Sequence, residues 1–174
     1  MRDYSKISPA VWQSARFNSL PSDDGRYLYL YLLTSSHQTS AGCYQLPDGY
    51  ACSDLRWPLE RYQSAREQLV AAELIRFDVE TAVVMITRWF KHNPPMSESH
   101  LLGIERQLER LPSKTICEAA LEAAQEAWES IETQRAQKTL RKQKPTHGHP
   151  NGSERTLPDR FHSTAYMQRS RPGG

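Results

Sequence analysis

The stretch "RYLYLYLLT", residues 26–34, alternates tyrosine and leucine with a period of two, the pattern of a half-buried strand. Its flank argues otherwise. "SLPSDDG" places Ser22 as a helix N-cap and Asp23 and Asp24 in a first helical turn, where the helix dipole favours carboxylates. Because the run from Tyr27 to Leu33 is apolar throughout, periodicity does not separate a buried helix from a buried strand. The cap and the charges predict a helix of about three turns, the most buried of a small core. "TSSHQTSAG" breaks it, and "GCYQLP" reads as a short strand.

The next two helices are expected in "PDGYACSDLRW" and "PLERYQSAREQLVAAELI". Pro58 suits the first position of the second of these, since its missing N–H would be unpaired there anyway. Leu59, Tyr62, Ala65, Leu69 and Ala72 recur at spacings of three and four and form one stripe. Glu60, Arg61, Gln63, Ser64, Glu67 and Gln68 fall largely outside it. After Leu74 the period changes to two. "LIRFD" and "AVVMITRW" are strand-like and joined by the turn "DVET". The order helix, short strand, helix, helix, β-hairpin is the plan of a winged helix-turn-helix. The fold class expected is mainly α with a small β-hairpin, over residues 1–95.

"WFKHNPP" closes that unit with two prolines. In "SESHLLGIERQLERL", Leu101, Ile104, Leu108 and Leu111 share a face. Thr115 and Glu118 suggest a capping box for a following helix with Cys117, Leu121, Ala124, Trp128 and Ile131 on one stripe. Residues 96–132 are thus expected to form a helical hairpin, packed on the first unit or on a second subunit. From Thr133 the chain becomes polar, basic and Pro/Gly-containing, and residues 133–174 read as a disordered tail.

Charge sharpens this division. The net charge of +2 over 174 residues separates into 0 for residues 1–95, −5 for 96–132 and +7 for 133–174. Three widely spaced cysteines, no apolar leader in "MRDYSKISPAVW" and no run of eighteen apolar residues indicate a chain of a reducing cytoplasm with no membrane span. His147 with His149, and Cys43 with Cys52, do not make a four-ligand zinc pattern. Neither "GxxxxGK" nor "GxGxxG" occurs. With no paired carboxylates or nucleophile–base set either, no catalysis, cofactor or metal is expected. Trp12, Trp57 and Trp89 are expected in the core.

"RDYSKI…VW", "LPSDDGRYLYLYLLTS", "AGCYQLPDGYACSDLRW", "LVAAELIRFD" and "RWFKHNPPMSESHLLGI" resemble the N-terminal winged-helix domain of phage and prophage replication-initiation proteins, the replisome organisers related to the primosomal protein DnaD. The resemblance covers roughly residues 1–112. It implies binding of DNA at an origin, recruitment of the replicative helicase, and DNA contacts from the third helix, Pro58 to Ala72. Two features depart from the winged-helix pattern. Glu73 stands where a glycine with positive φ commonly opens the wing, and Asp78 and Glu80 in the wing turn would repel phosphate.

Within the third helix Arg61 suits guanine, Gln63 adenine and Ser64 a base edge or phosphate, with Gln68 a turn further on. Arg135, Lys138, Arg141, Lys142 and Lys144 make the tail a polyelectrolyte arm for nucleic acid. Against these stand a merely solvated helix face, since Glu60 and Glu67 lie among the candidates, and a solubilising tail that binds nothing or folds back on the acidic segment. The expectation is a double-stranded-DNA-binding initiation protein whose helical hairpin serves self-association or contact with a replicative helicase or primase. A transcriptional regulator on the same fold and a protein-only adaptor are its rivals.

Overall fold

The structure, a computed structural model, describes residue 5 and residues 7–143, with side chains to residue 141. A single 3-10 turn at Pro9–Gln13 leads into the short helix α1 (Ala15–Asn18) and then α2 (Asp23–Thr34). Ser22 caps α2 by accepting a hydrogen bond from the Gly25 N–H at 3.3 Å. The alternating stretch is therefore helical. It is not buried all round: Gly25, Leu28 and Leu32 form the buried stripe, whereas Tyr27 is 59% exposed. On a helix the alternation spreads its large side chains over several faces, and only the stripe at spacings of three and four meets the core.

Strand β1 (Cys43–Gln45), helices α3 (Asp48–Leu55) and α4 (Leu59–Ala71), and strands β2 (Ile75–Asp78) and β3 (Val83–Ile86) follow in the order expected. Pro58 is the N-cap of α4 rather than its first helical residue; its ψ of 152° lies in the extended region. The expected stripe holds at Tyr62, Ala65 and Leu69, all fully buried, but Leu59 is exposed. The first turn of α4 extends past the core, so its apolar residue finds nothing to cover it.

The three strands form an antiparallel sheet in the order β1–β3–β2, with Cys43 opposite Met85 and Ile75 opposite Ile86. All four residues of β3 are buried. A central strand reads as a continuous apolar run when both its faces are covered, and here α4 lies against β2 on the inner side while a long later helix crosses all three strands. Gly42, at the start of β1, has φ +68 and lies against the Trp89 ring, into which any Cβ would run. Trp89 in turn donates from its indole nitrogen to the Ser40 carbonyl at 2.9 Å.

The one-turn helix α5 (Trp89–His92) and the prolines beyond it lead to α6 (Glu98–Leu108), capped by Ser97, and α7 (Lys114–Gln143). The helix starts one residue before Thr115, so Thr115 lies within its first turn and is not its cap; the Ser113 carbonyl accepts from the Cys117 N–H. The buried stripe of α7 is Ile116, Ala120 and Ala124, with Cys117 and Leu121 only partly covered. These residues join Ile104, Leu108 and the sheet in one core, so the helical pair packs on the same chain's sheet. Alanine along this stripe lets the α7 backbone approach the strands closely.

The tail expected to be disordered from Thr133 is helical to Gln143. Its glutamine, lysine, arginine and alanine residues are good helix formers, and an existing helix propagates at far lower cost than a new one nucleates. At 1.5 Å per residue α7 is about 45 Å long, and residues 132–141 are exposed on every side. The remainder of the tail lies outside the described residues. No helix among the described residues is long and apolar enough to cross a membrane.

Candidate nucleic-acid interface

Three of the four candidate residues of α4, Arg61, Gln63 and Gln68, are tied to neighbouring helices. The Arg61 guanidinium donates two bonds to Asp24 of α2, Nε to Oδ2 at 2.8 Å and an Nη to Oδ1 at 2.6 Å, and its carbon lies 4.3 Å from the centre of the Trp57 ring. This pairing holds the Asp24 carboxyl below its usual range. Gln68 accepts from the Ser22 hydroxyl at 2.6 Å, tying α4 to the capped start of α2. Gln63 donates to Asp48 of α3 at 3.3 Å. Ser64 alone of the four lacks a side-chain partner among the described residues.

Arg66, overlooked in the sequence because it sits beside the apolar stripe, is only 8% exposed. It is salt-bridged to Asp48 and its guanidinium lies 4.0 Å over the Phe77 ring. What α4 leaves to solvent is Leu59, Glu60, Arg61, Ser64, Glu67, Val70 and Ala71. That surface combines carboxylates with apolar patches and has no cation except the one already held by Asp24. The fork geometry that lets arginine read guanine is spent on a carboxylate.

The turn between β2 and β3 is likewise built for its own stability. Asp78 accepts from the Glu80 N–H at 3.1 Å and the Thr81 hydroxyl at 2.7 Å, closing an Asx turn. No cation stands at its tip, where Val79 and Glu80 are exposed. Glu73, at the position suited to glycine, does take a positive φ of 51°. Its carbonyl accepts from Arg16 at 2.9 Å and from the Thr87 hydroxyl at 2.6 Å, and its carboxylate pairs with Arg16. These three interactions hold the strained backbone in place.

Of the expected core tryptophans, Trp89 is buried, Trp57 is half-buried beneath Arg61, and Trp12 is 61% exposed with its ring edge on Phe17. Trp12 precedes the first full helix, so no second layer covers it.

The basic residues of the expected arm divide between helix and undescribed chain. Arg135, Lys138 and Arg141 are exposed on the projecting end of α7. Arg135 is anchored, donating to the Met96 carbonyl at 3.1 Å with its guanidinium 5.5 Å from the Trp128 ring. Lys138 and Arg141 have no partner among the described residues. Lys142 is on the same helix, and Lys144 lies outside the described residues.

A second group was missed: Arg76 on β2, Arg88 at the start of α5, and Lys91 within α5 are exposed and unpaired among the described residues. The only sequence signal for them was the polar position of Arg76 within "LIRFD", which periodicity assigns to a solvated face. Comparison with known proteins brings no further constraint: no family model, no curated protein and no solved structure matches the chain.

Proposed function

We propose that this chain is a winged-helix DNA-binding protein that acts, without catalysis, in the initiation of phage or prophage DNA replication. The observation that carries the DNA reading is the end of α7: ten residues exposed all round, with Arg135, Lys138 and Arg141 and no carboxylate on the helix beyond Glu132. A cationic rod of this kind displaces counterions from any duplex, which makes binding salt-dependent and tolerant of sequence. The order of helices and strands, the β1–β3–β2 sheet and the resemblance of residues 1–112 to replisome organisers support the fold and the replication role.

A second reading is favoured by α4. Its exposed carboxylates and the apolar Leu59 and Val70 suit a protein partner better than phosphate. The two readings combine in one molecule if α7 holds DNA while α4 receives a replicative helicase or primase.

The test is a titration of a fluorescent random-sequence duplex by anisotropy across a range of salt. The triple variant Arg135→Gln, Lys138→Gln, Arg141→Gln should bind more weakly, with a salt slope shallower by about 0.9 for each phosphate it no longer neutralises. A parent protein that binds no duplex at low salt overturns the DNA reading and leaves the adaptor.

A further inference from the structure

We infer that the sheet edge beside α7 forms a second seat for the duplex backbone, made by Arg76, Arg88 and Lys91 and continuous with Arg135 and Lys138. The inference rests on the DNA reading above and names the face that the duplex lies against, one that α4 does not share.

Arg76 is on the edge strand β2, directly opposite Met85, and so projects from the sheet face that α7 covers. Between that edge and α7 runs a groove lined by Arg76, Arg88 and Lys91 on one wall and by Glu122 and Glu126 of α7 on the other. A second groove, bounded by Arg16, Val70, Glu73 and Phe77, meets Arg76 and Arg88 from the opposite side. Arg76, Thr87 and Arg88 line both grooves and so stand on the ridge between them, with Lys91 on the first groove only. A rod carrying phosphates laid along this ridge meets the cations with two exposed carboxylates, Glu122 and Glu126, in the same groove, and Glu73 is already neutralised by Arg16.

These cations differ from the four arginines that the fold pairs; Arg56, Arg106, Arg110 and Lys114 are also exposed without a carboxylate partner among the described residues, and what sets Arg76, Arg88 and Lys91 apart is that they share one groove. Arg16, Arg26, Arg61 and Arg66 are each held by a carboxylate. Arg76, Arg88 and Lys91 are not, although Glu122 and Glu126 share their groove. Arg88 also has a φ of 58°, a left-handed conformation that is uphill for any residue with a Cβ. The strain at Glu73 is matched by the bonds of its carbonyl and carboxylate, whereas no bond within the described residues uses the Arg88 side chain. Arg56, at the C-cap of α3, takes the same conformation with its side chain equally unpartnered among the described residues, so Arg88 is set apart by its place on the groove and not by its φ. Protection of an edge strand against pairing accounts for a charge at Arg76 but not for Arg88 and Lys91, which lie past the end of the sheet.

The groove reaches along α7 to Ser130, Ile131 and Gln134. The next residue is Arg135, fixed to the Met96 carbonyl. The ridge and the arm therefore form a single basic track along one side of the molecule.

The experiment uses the full chain and the same random-sequence duplex. Arg76→Gln, Arg88→Gln, Lys91→Gln is compared with a triple of equal charge change around the turn between α6 and α7, Arg106→Gln, Arg110→Gln, Lys114→Gln, both checked for folding by thermal circular dichroism. The ridge triple should flatten the salt slope by about 2–3, at about 0.9 per phosphate, and weaken binding about tenfold or more at moderate salt. The control triple should leave the slope within experimental scatter of the parent. An unchanged slope for the ridge triple, or equal weakening by the two triples, overturns the inference. If the ridge triple binds like the parent while the α7 triple is weakened, the DNA reading stands and only this second seat falls. A parent without duplex affinity removes both.

Discussion

Helix α4 and the α7 side of the sheet both display arginines, but in opposite states. On α4, Arg61 is clasped by Asp24 and Arg66 is buried against Asp48. On the sheet edge and α7, Arg76, Arg88, Lys91, Lys138 and Arg141 face solvent with no partner among the described residues. The first group spends its charge inside the fold, and the second leaves it outside. A basic residue at a position that a DNA reader would use is thus a poor guide until its partner is known. A guanidinium paired to carboxylate presents phosphate with a nearly neutral unit, and the adjacent Glu60 and Glu67 tip the α4 surface negative.

The contrast breaks most severely at Asp48. Removing it by Asp48→Ala strands the Arg66 charge among Tyr62 and Phe77. Breaking a buried pair from one side costs about 3–5 kcal/mol; with the Asp48 side chain 27% exposed, the low end of that range is expected. Denaturant unfolding measures it. A change under about 1 kcal/mol would mean that Arg66 escapes to solvent and that α4 has a cation to offer after all.

A smaller effect separates the two ends of α7. Ala120 is fully buried against the sheet, and Ala120→Leu should destabilise by about 1–3 kcal/mol through overpacking. Lys138→Ala, on the exposed end, should leave the thermal midpoint unchanged. Equal midpoints for the two variants would show that α7 is not seated on the strands by its alanines.

The smallest effect is expected at Arg61. Arg61→Ala should leave duplex affinity within about twofold of the parent on any sequence, whereas removing a specific base contact would cost about 1–3 kcal/mol. Asp24→Asn sharpens the point: it releases the Arg61 fork, and any gain in affinity would bring α4 back to the DNA. Acidity is not a substitute for that mutation. The Asp24 carboxyl titrates below its usual value of 3.8, with the bond from Arg61 the largest cause. A depressed carboxylate contributes its stability above the unfolded value and loses it only as pH falls through the native one. The clasp should persist across the neutral range, and binding there should show no pH step from α4.

Much of the fold was legible because it is set by local chemistry. A serine cap and two aspartates were enough to turn the tyrosine–leucine alternation into a helix. The change of period after Leu74 announced β2 and β3, and Glu73 stands out in the sequence at the position where the chain takes positive φ. The stripe of α7 was less legible, since alanines at Ala120 and Ala124 carry a weak apolar signal beside Leu121 and Trp128. The helix beyond Thr133 was hidden for another reason. Polarity argues against a core, but a helix already nucleated by the packed stretch from Ile116 onward continues through polar residues that favour it.

For the candidate site the division is stricter. The sequence by itself determined where the charges are along the chain, which residues start and end helices, and that the tail end is basic. Whether a given charge is available was decided by tertiary structure alone. Asp24 lies thirty-seven residues before Arg61 and is brought to it only by the packing of α2 on α4. Arg76 and Lys91 come to share a groove wall only because the sheet is covered by a helix that begins at Lys114. Caps and periodicities act within a few residues and so can be read in order. Ion pairs and ridges join residues that chain connectivity keeps far apart, and the physical condition that fixes them is the packing of one element on another.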